Sequence, residues 1–323
     1  MQRRKFITLV GGVAAAWPLV VRAQQPAKIA RIGFLGFGTA SAGAPRVEAL
    51  RAGLREHGYV EGKNIVIEFR WADGKYERLP ELASELARLK VDVIVTHGAG
   101  TKPAQSAATT IPIVTYIGDA VGAGFAASLA RPGGTITGSS FFGPEIAAKR
   151  IELLKEAVPR IKHVAAVLNP AASTNKSIDA VEVTARHLKL GLQRYDVKSP
   201  AEFESAFSAM SKNHASAIVI LDDPMLVANF KALADLAIKH RLPAIGFTGF
   251  ADAGGLMTSG PSLVELWRRH AYFVDKILKG GNPATIPIEQ PTRFELVINL
   301  KTAKALGIKI PQTLVQRADR VIE

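Results

Sequence analysis

The stretch IKHVAAVLNP, residues 161–170, decides the fold, because it restarts a series that KIARIGFLG opens at residues 28–36. Each is a short apolar run closed by a helix- and strand-breaking residue, and each is followed by a longer segment of helical period. After the first come a helix from about Pro45 to Glu56, NIVIEF (64–69), a helix from Glu77 to Leu89, VDVIV (91–95), a helix near Pro103 and IPIVTYI (111–117). After the second come a helix to about Leu190, LQRYDV (192–197), a helix near Phe203, SAIVILDD (216–223), a helix from Leu226 to His240 and LPAIGF (242–247). Val- and Ile-rich strands separated by single helices predict parallel βαβ units. The two series keep near-equal spacing: Arg31 to His163 is 132 residues, Val93 to Ala217 is 124, and Pro112 to Pro243 is 131. The expectation is an α/β protein of two doubly wound parallel-sheet lobes in tandem.

Between the series lies RPGGTITGSSFFGPE (131–145), whose Gly and Pro content breaks both periods and reads as a hinge segment. AGGLMTSGPS (253–262) and GGNPATIPIEQPTRFELVIN (280–299) carry the same punctuation. If the chain changes lobe at each, three crossovers join the lobes. The first lobe then holds residues 28–138 with 261–290, and the second 139–260 with 291–323. Parallel connections of this kind permit opening and closing of rigid lobes by small dihedral changes.

In open parallel sheets, ligands sit beyond the carboxyl ends of the strands, where loops and helix starts expose backbone N–H groups. The loops there are GFGTASAG (36–43), THGAGT (96–101) and YIGD (116–119), answered by NPAASTN (169–175), DDP (222–224) and FTGF (247–250). They supply the candidate ligand-binding residues Gly38, Thr39, Ser41, Thr96, His97, Thr101, Tyr116 and Asp119 on one side. The other side offers Asn169, Ser173, Thr174, Asp222 and Phe247. Each has a structural alternative. The hydroxyls of Thr39, Ser41, Thr101, Ser173 and Thr174 are of the type that caps helices. Asp119 and Asp222 can bond turn backbone, Asp223 before Pro224 is placed to cap the next helix, and His97 can be a neutral loop residue. Phe37, Tyr116 and Phe247 read either as core or as cleft walls.

Residues 1–23, MQRRKFITLVGGVAAAWPLVVRA, read as an export signal: a basic start, an apolar run from Phe6 to Val21 too short to span a bilayer, and a small-residue ending. Arg3 and Arg4 look like a twin-arginine type, with the general secretory route as the alternative. Cleavage near Ala23 then leaves a periplasmic protein. The chain has no cysteine, which removes a lipid anchor, disulfides, thiolate metal sites and a cysteine nucleophile. Without the four cations of the signal, the net charge of +13 becomes +9. Lys and Arg alternate with Glu in helices such as YERLPELASELARLK (76–90), which argues against nucleic acid as partner. GFGTAS (36–41) lacks the third glycine of a dinucleotide fingerprint, and no P-loop, G-x-S-x-G elbow or H-x-x-x-H pair occurs. The sequence therefore gives no cofactor, no metal and no enzyme.

The stretches RIGFLG, LREHGYVEGKNIVIEFRWADGKYERLPELASELARLKVDVIV, SLARPGG, KRIELLKEAVP, AGGLM and EQPTRFELVINLKTAKALGIKIP resemble the exported substrate-binding proteins of ABC transporters, within the group that includes tryptophan and other aromatic amino-acid binders. The resemblance runs collinearly over 28–323. It implies a type I periplasmic-binding-protein fold, a small-molecule solute such as an amino acid, and a transient partner, an ABC permease in the inner membrane. A monomer or weak dimer goes with this, and a sensory receptor of the same fold is the alternative. The resemblance further implies that hydroxyls and backbone N–H groups hold the solute's headgroup, with an acidic side chain for its ammonium, at Ser41, Thr96, Thr101 and Asp119 in one lobe and Asn169 and Asp222 in the other. Two departures stand out: Asp119 is followed by Ala120 where Asp-Pro is usual, and Thr258-Ser259-Gly260 replaces Ser-Tyr-Gly.

Overall fold

The computed structural model describes residues 29–170 and 175–323. The stretch read as an export signal, together with Ser173 and Thr174, lies outside the described residues. The first half of the chain runs β1 (Ala30–Gly36), α1 (Ala40–Glu56), β2 (Ile65–Trp71), α2 (Leu79–Arg88), β3 (Val93–Val95), α3 (Thr101–Ala107), β4 (Ile113–Ile117), β5 (Ile136–Ser140) and α4 (Gly143–Ala157). It continues with β6 (His163–Leu168), α5 (Asn175–His187), β7 (Gly191–Asp196), α6 (Phe203–Lys212), β8 (Ala217–Ile220), α7 (Pro224–Ala228), α8 (Phe230–Lys239), β9 (Ala244–Gly246) and β10 (Met257–Pro261). The end of the chain adds α9 (Leu263–Leu278), β11 (Phe294–Asn299), α10 (Leu300–Ala305), α11 (Gln312–Arg317) and β12 (Arg320–Ile322).

Two sheets organise these elements. The first has strand order β2-β1-β3-β4-β5, and every pairing is parallel. The second begins with the same plan, β7-β6-β8-β9-β10, and is then extended by β11, antiparallel to β10, and by β12. The repeat seen in the sequence is a repeat of register. Ile32 pairs with Val93 in the first sheet and Val164 with Ala217 in the second; Ile94 pairs with Ile113 and Ile218 with Ala244. Residues separated by the sequence offsets occupy equivalent places in the two ladders.

The local reasons are ordinary. In α2, Leu79, Leu82, Ala83 and Leu86 recur at helical spacing and are buried, Pro80 sits in the first turn, and Glu81 is exposed. The strands β3, β4 and β8 are buried at every residue, as parallel strands covered on both faces must be.

The chain crosses between sheets three times. After β5 it leaves the first sheet, and α4 packs on α5 and on the second sheet. After β10 it returns, and α9 packs on α1 and against β3, β4 and β5. The third crossing is the connection 279–293, which touches the end of β5: Ser140 N–H donates to Glu289 O at 2.8 Å, and Glu289 N–H to Gly138 O at 2.9 Å.

The structure corrects the sequence expectation in several places. The segments 131–145 and 253–262, read as irregular connections, each contain a fully buried strand, β5 and β10. Membership of β5 in the first sheet carries that lobe to Ser140 rather than 138, and β10 carries the second to Pro261. The first helix begins at Ala40, not near Pro45, so Ala40–Gly43 form its first turn instead of a loop. The helix expected from Leu226 to His240 is broken at Asn229 into α7 and α8. Among the described residues, no helix is long and apolar enough to cross a membrane.

Candidate functional site

A cavity of about 590 Å³ lies between the carboxyl ends of the two sets of strands. Its size falls within the ~300–1,000 Å³ usual for small-molecule sites. Residues of both lobes line it. Phe37, Trp71, Tyr76, His97 and Tyr116 come from the first, and Phe247, Asp222 and Asp223 from the second. Aromatic rings from both lobes form part of the wall, and they are braced from behind. His97 stacks on Tyr116 with centroids 5.3 Å apart and planes 10° from parallel, while the buried Trp267 of α9 meets both edge-on at 5.7 Å. Trp267 in turn stacks on Phe34 of β1 at 5.3 Å. Trp71 owes its place to two glycines: a methyl group at Gly36 or Gly43 would overlap its indole.

Two contacts close the cavity from one lobe to the other. Tyr76, on a 3₁₀ turn after β2, donates its hydroxyl hydrogen to Asp223 Oδ2 at 2.6 Å. Met225 N–H donates to the same hydroxyl oxygen at 3.3 Å. At the rim, Lys176 Nζ donates to Asp119 Oδ2 at 3.0 Å. Asp223 also caps α7 through Leu226 N–H at 3.0 Å and accepts from Asn169 Nδ2 at 3.3 Å. The capping expected from the sequence is therefore present, and the same carboxylate joins the lobes.

The sequence candidates divide by position. Gly38, His97, Tyr116, Asp119, Asp222 and Phe247 line the cavity. Thr39 and Ser41 do not. Thr39 caps α1 by accepting from Ala42 N–H at 3.3 Å, and Ser41 is exposed in that first turn with its hydroxyl on Thr39. Thr96 and Thr101 are buried within the first lobe. Thr96 donates to Leu35 O at 2.9 Å, and the Thr101 hydroxyl lies 2.8 Å from that of Thr115. Asn169 is buried behind the wall, where it orients Asp223. The hydroxyl groups proposed for a headgroup are thus mostly committed to the scaffold.

Residues that sequence reasoning missed include Arg46, Trp71, Tyr76 and Lys102, all lining the cavity. Arg46 and Lys102 lie on helices, and the loop after β2, which carries Tyr76, is not among the strand-end loops that supply the sequence candidates. Arg46 is on α1, Trp71 ends β2 and Tyr76 follows it; Ala42, Gly43 and Arg46 share the face of α1 turned to the cavity. The available signal was the spacing of Gly36, Gly43 and Trp71, since two glycines beside a large ring mark a close approach.

Burial sets the charge states. It pushes the imidazole of His97 down to about 3, with the Arg46 and His270 charges adding to the effect. His270, behind Tyr116, is lowered to about 4 by burial. Both are neutral near pH 7. Burial and the neighbouring Asp223 raise the Tyr76 phenol, which keeps it a hydrogen donor. Desolvation likewise raises the Asp223 carboxyl, against the opposing hydrogen bond from Tyr76. Asp222 is held by the buried Arg150, whose Nη1 donates to Oδ1 at 2.6 Å while Nε donates to Ser259 O at 2.8 Å. The same guanidinium lies over the Phe247 ring, 5.3 Å from its centroid. Among the described residues no group of three potential metal ligands occurs.

Comparison with known proteins agrees with this geometry. Residues 41–322 match the family model described as ABC transporter substrate binding protein. The chain is 25% identical over 260 residues to a tyrosine-binding protein of Clostridioides difficile strain R20291, covering 79% of this chain and 74% of that one. A conserved domain protein from Vibrio cholerae O1 biovar El Tor superposes with a TM-score of 0.84 at 26% identity, over 91% of this chain and 100% of that one. An ABC domain from Streptococcus pneumoniae in complex with L-Trp superposes with a TM-score of 0.83 at 25% identity, over 91% and 99%. The fold of two lobes and three crossings is that of type I periplasmic binding proteins.

Proposed function

Because the chain belongs to the ABC transporter substrate-binding protein family, we propose that it is a periplasmic receptor that closes on one small solute, an amino acid or a related compound, and presents the closed form to an inner-membrane permease. The observation that carries this is the pair of contacts across the cavity, Tyr76 to Asp223 and Lys176 to Asp119, each joining one lobe to the other. Such contacts exist only when the lobes meet, so a solute that touches both walls and these bonds favour the same state. A ligand shifts the equilibrium only by its better contacts in that state, and the permease reads loaded from empty by shape. In this reading the chain performs no chemistry on the solute. The moving units are the two lobes, with α9 carried by the first sheet and α4 by the second.

A melting-temperature screen of the purified protein against amino acids, organic acids, sugars and nucleobases tests the reading, followed by small-angle scattering with each solute that raises the midpoint. A solute at 100 times its dissociation constant adds about 2.7 kcal/mol. The expected result is a raised midpoint together with a smaller radius of gyration. If no solute does both, the reading is wrong.

A further inference from the structure

The charged groups facing the cavity do not cancel. Asp222 is paired with Arg150, and Asp119 with Lys176 and with Gly122 N–H at 2.7 Å. Asp223 accepts from Tyr76, Leu226 and Asn169. Every carboxylate on the wall therefore already has internal donors. The cations are not all matched in return. Arg46 lines the cavity, half-buried, and among the described residues no carboxylate lies within ion-pair distance of it. Lys102 lines it too, and among the described residues its hydrogen-bond partner is the Gln105 amide oxygen at 3.5 Å. The N-terminal turn of α1, the helix that carries Arg46, contributes Ala42 and Gly43 to the same wall, and a helix start adds partial positive charge there. His97, neutral at pH 7, supplies no competing charge.

An ammonium group entering this cavity would have to share a carboxylate with Arg150, Lys176 or three neutral donors, while Arg46 opposed it. A carboxylate group would meet Arg46 unopposed, in a geometry a guanidinium suits. The same lobe that carries Arg46 offers the planar body of such a ligand the rings of Trp71, Phe37 and Tyr76, the last two with centroids 4.4 Å apart. Resting on the receptor reading above, we infer that Arg46 is the anion-binding residue of this cavity and that the solute is an aromatic monocarboxylate with no amino group.

Calorimetric titration of the purified full chain with three compounds of one skeleton tests this: 3-(4-hydroxyphenyl)propanoate, which has only the carboxylate, L-tyrosine, which has both head groups, and tyramine, which has only the ammonium. The propanoate is expected to bind at least tenfold more tightly than tyrosine, with no measurable binding of tyramine. Arg46→Gln should weaken the propanoate roughly 10- to 100-fold, the loss typical of a charge-assisted hydrogen bond. Arg46→Lys should retain more affinity than Arg46→Gln. Tighter binding of tyrosine, binding of tyramine, binding of none of the three, or an unchanged affinity in Arg46→Gln each overturns the inference. If Arg46→Gln does not fold, the ranking of the three compounds and the lysine variant decide. A contraction with a sugar, a nucleobase or an amine in the wider screen would overturn the aromatic carboxylate and leave the receptor reading intact. Contraction with no solute of any class would remove both.

Discussion

The buried imidazoles of His97 and His270 couple the cavity wall to acidity. Both are held below the 6.5 of an unfolded histidine, at about 3 and about 4, by burial. On acidification the unfolded chain takes up these protons first, so the stability they permit is complete above about pH 6.5 and declines as pH falls toward 4. With two such groups the decline approaches about 3 kcal/mol per pH unit in that window. Urea midpoints measured between pH 7 and 4.5 should show this slope, and His270→Leu or His97→Asn should each remove about 1.4 kcal/mol per pH unit of it. A slope unaffected by either replacement would mean that neither ring stays neutral in the fold. At this scale the sequence was only partly legible. His97, Tyr116 and Asp222 stand on strand-end loops, where parallel sheets place ligands, and they line the cavity. Thr96 and Thr101 stand on such a loop with the right chemistry, yet their hydroxyls satisfy a carbonyl and a second hydroxyl in the core. A residue's type at a loop position does not reveal which way its side chain turns.

The helices that change lobe rest on close approach. Gly53 of α1 lies against the Arg268 carbonyl and the Ala271 side chain of α9, with no room for a methyl group. Replacing it by valine forces the helices apart in a packed interior, and overpacking of this kind costs roughly 1–3 kcal/mol. Denaturation of Gly53→Val should show that loss, and a variant as stable as the parent would mean that α1 and α9 do not pack as described. The same preference for close approach explains which elements the sequence hid. The Val- and Ile-rich strands β3, β4 and β8 announced themselves. ITGSS and MTSGP fall inside segments that read as hinges between lobes, because Gly and Pro are poor strand formers. In the fold their backbones come too near their neighbours for larger side chains. Gly138, at φ +129°, faces the Thr115 backbone, and Gly260 faces the Phe247 ring. The repeat spacing carries the architecture; the crossing strands escape it because space, not propensity, selects their residues.

For the molecule as a whole, the two contacts across the cavity differ in weight. Lys176 is 61% exposed and Asp119 25%, so their ion pair is screened and of the kind worth about 0–1 kcal/mol. The Tyr76–Asp223 bond is part-buried and joins a hydroxyl to a carboxylate, a class worth about 1.5–3 kcal/mol. Closure should therefore depend chiefly on Tyr76. Tyr76→Phe is expected to raise the dissociation constant of a solute found in the screen about 10- to 100-fold. Lys176→Ala should raise it less than about fivefold, and 0.5 M salt should abolish that smaller effect. Titration of both variants at low and high salt checks the order, and a larger loss in Lys176→Ala would reverse the assignment.

The return of α9 to the first sheet also sets a schedule for biosynthesis. The strands β1 to β5 are complete once Ser140 has left the ribosome, yet the helix whose Trp267 packs on Phe34, His97 and Tyr116 is encoded about 120 residues later. At ordinary elongation rates that gap lasts roughly 6–25 s. Throughout it, the apolar face that α9 will cover has no partner from its own lobe. The nascent first lobe thus cannot complete its packing until most of the second lobe has been made. The two lobes are interleaved in order of synthesis, although each looks like a complete α/β domain once the chain is whole.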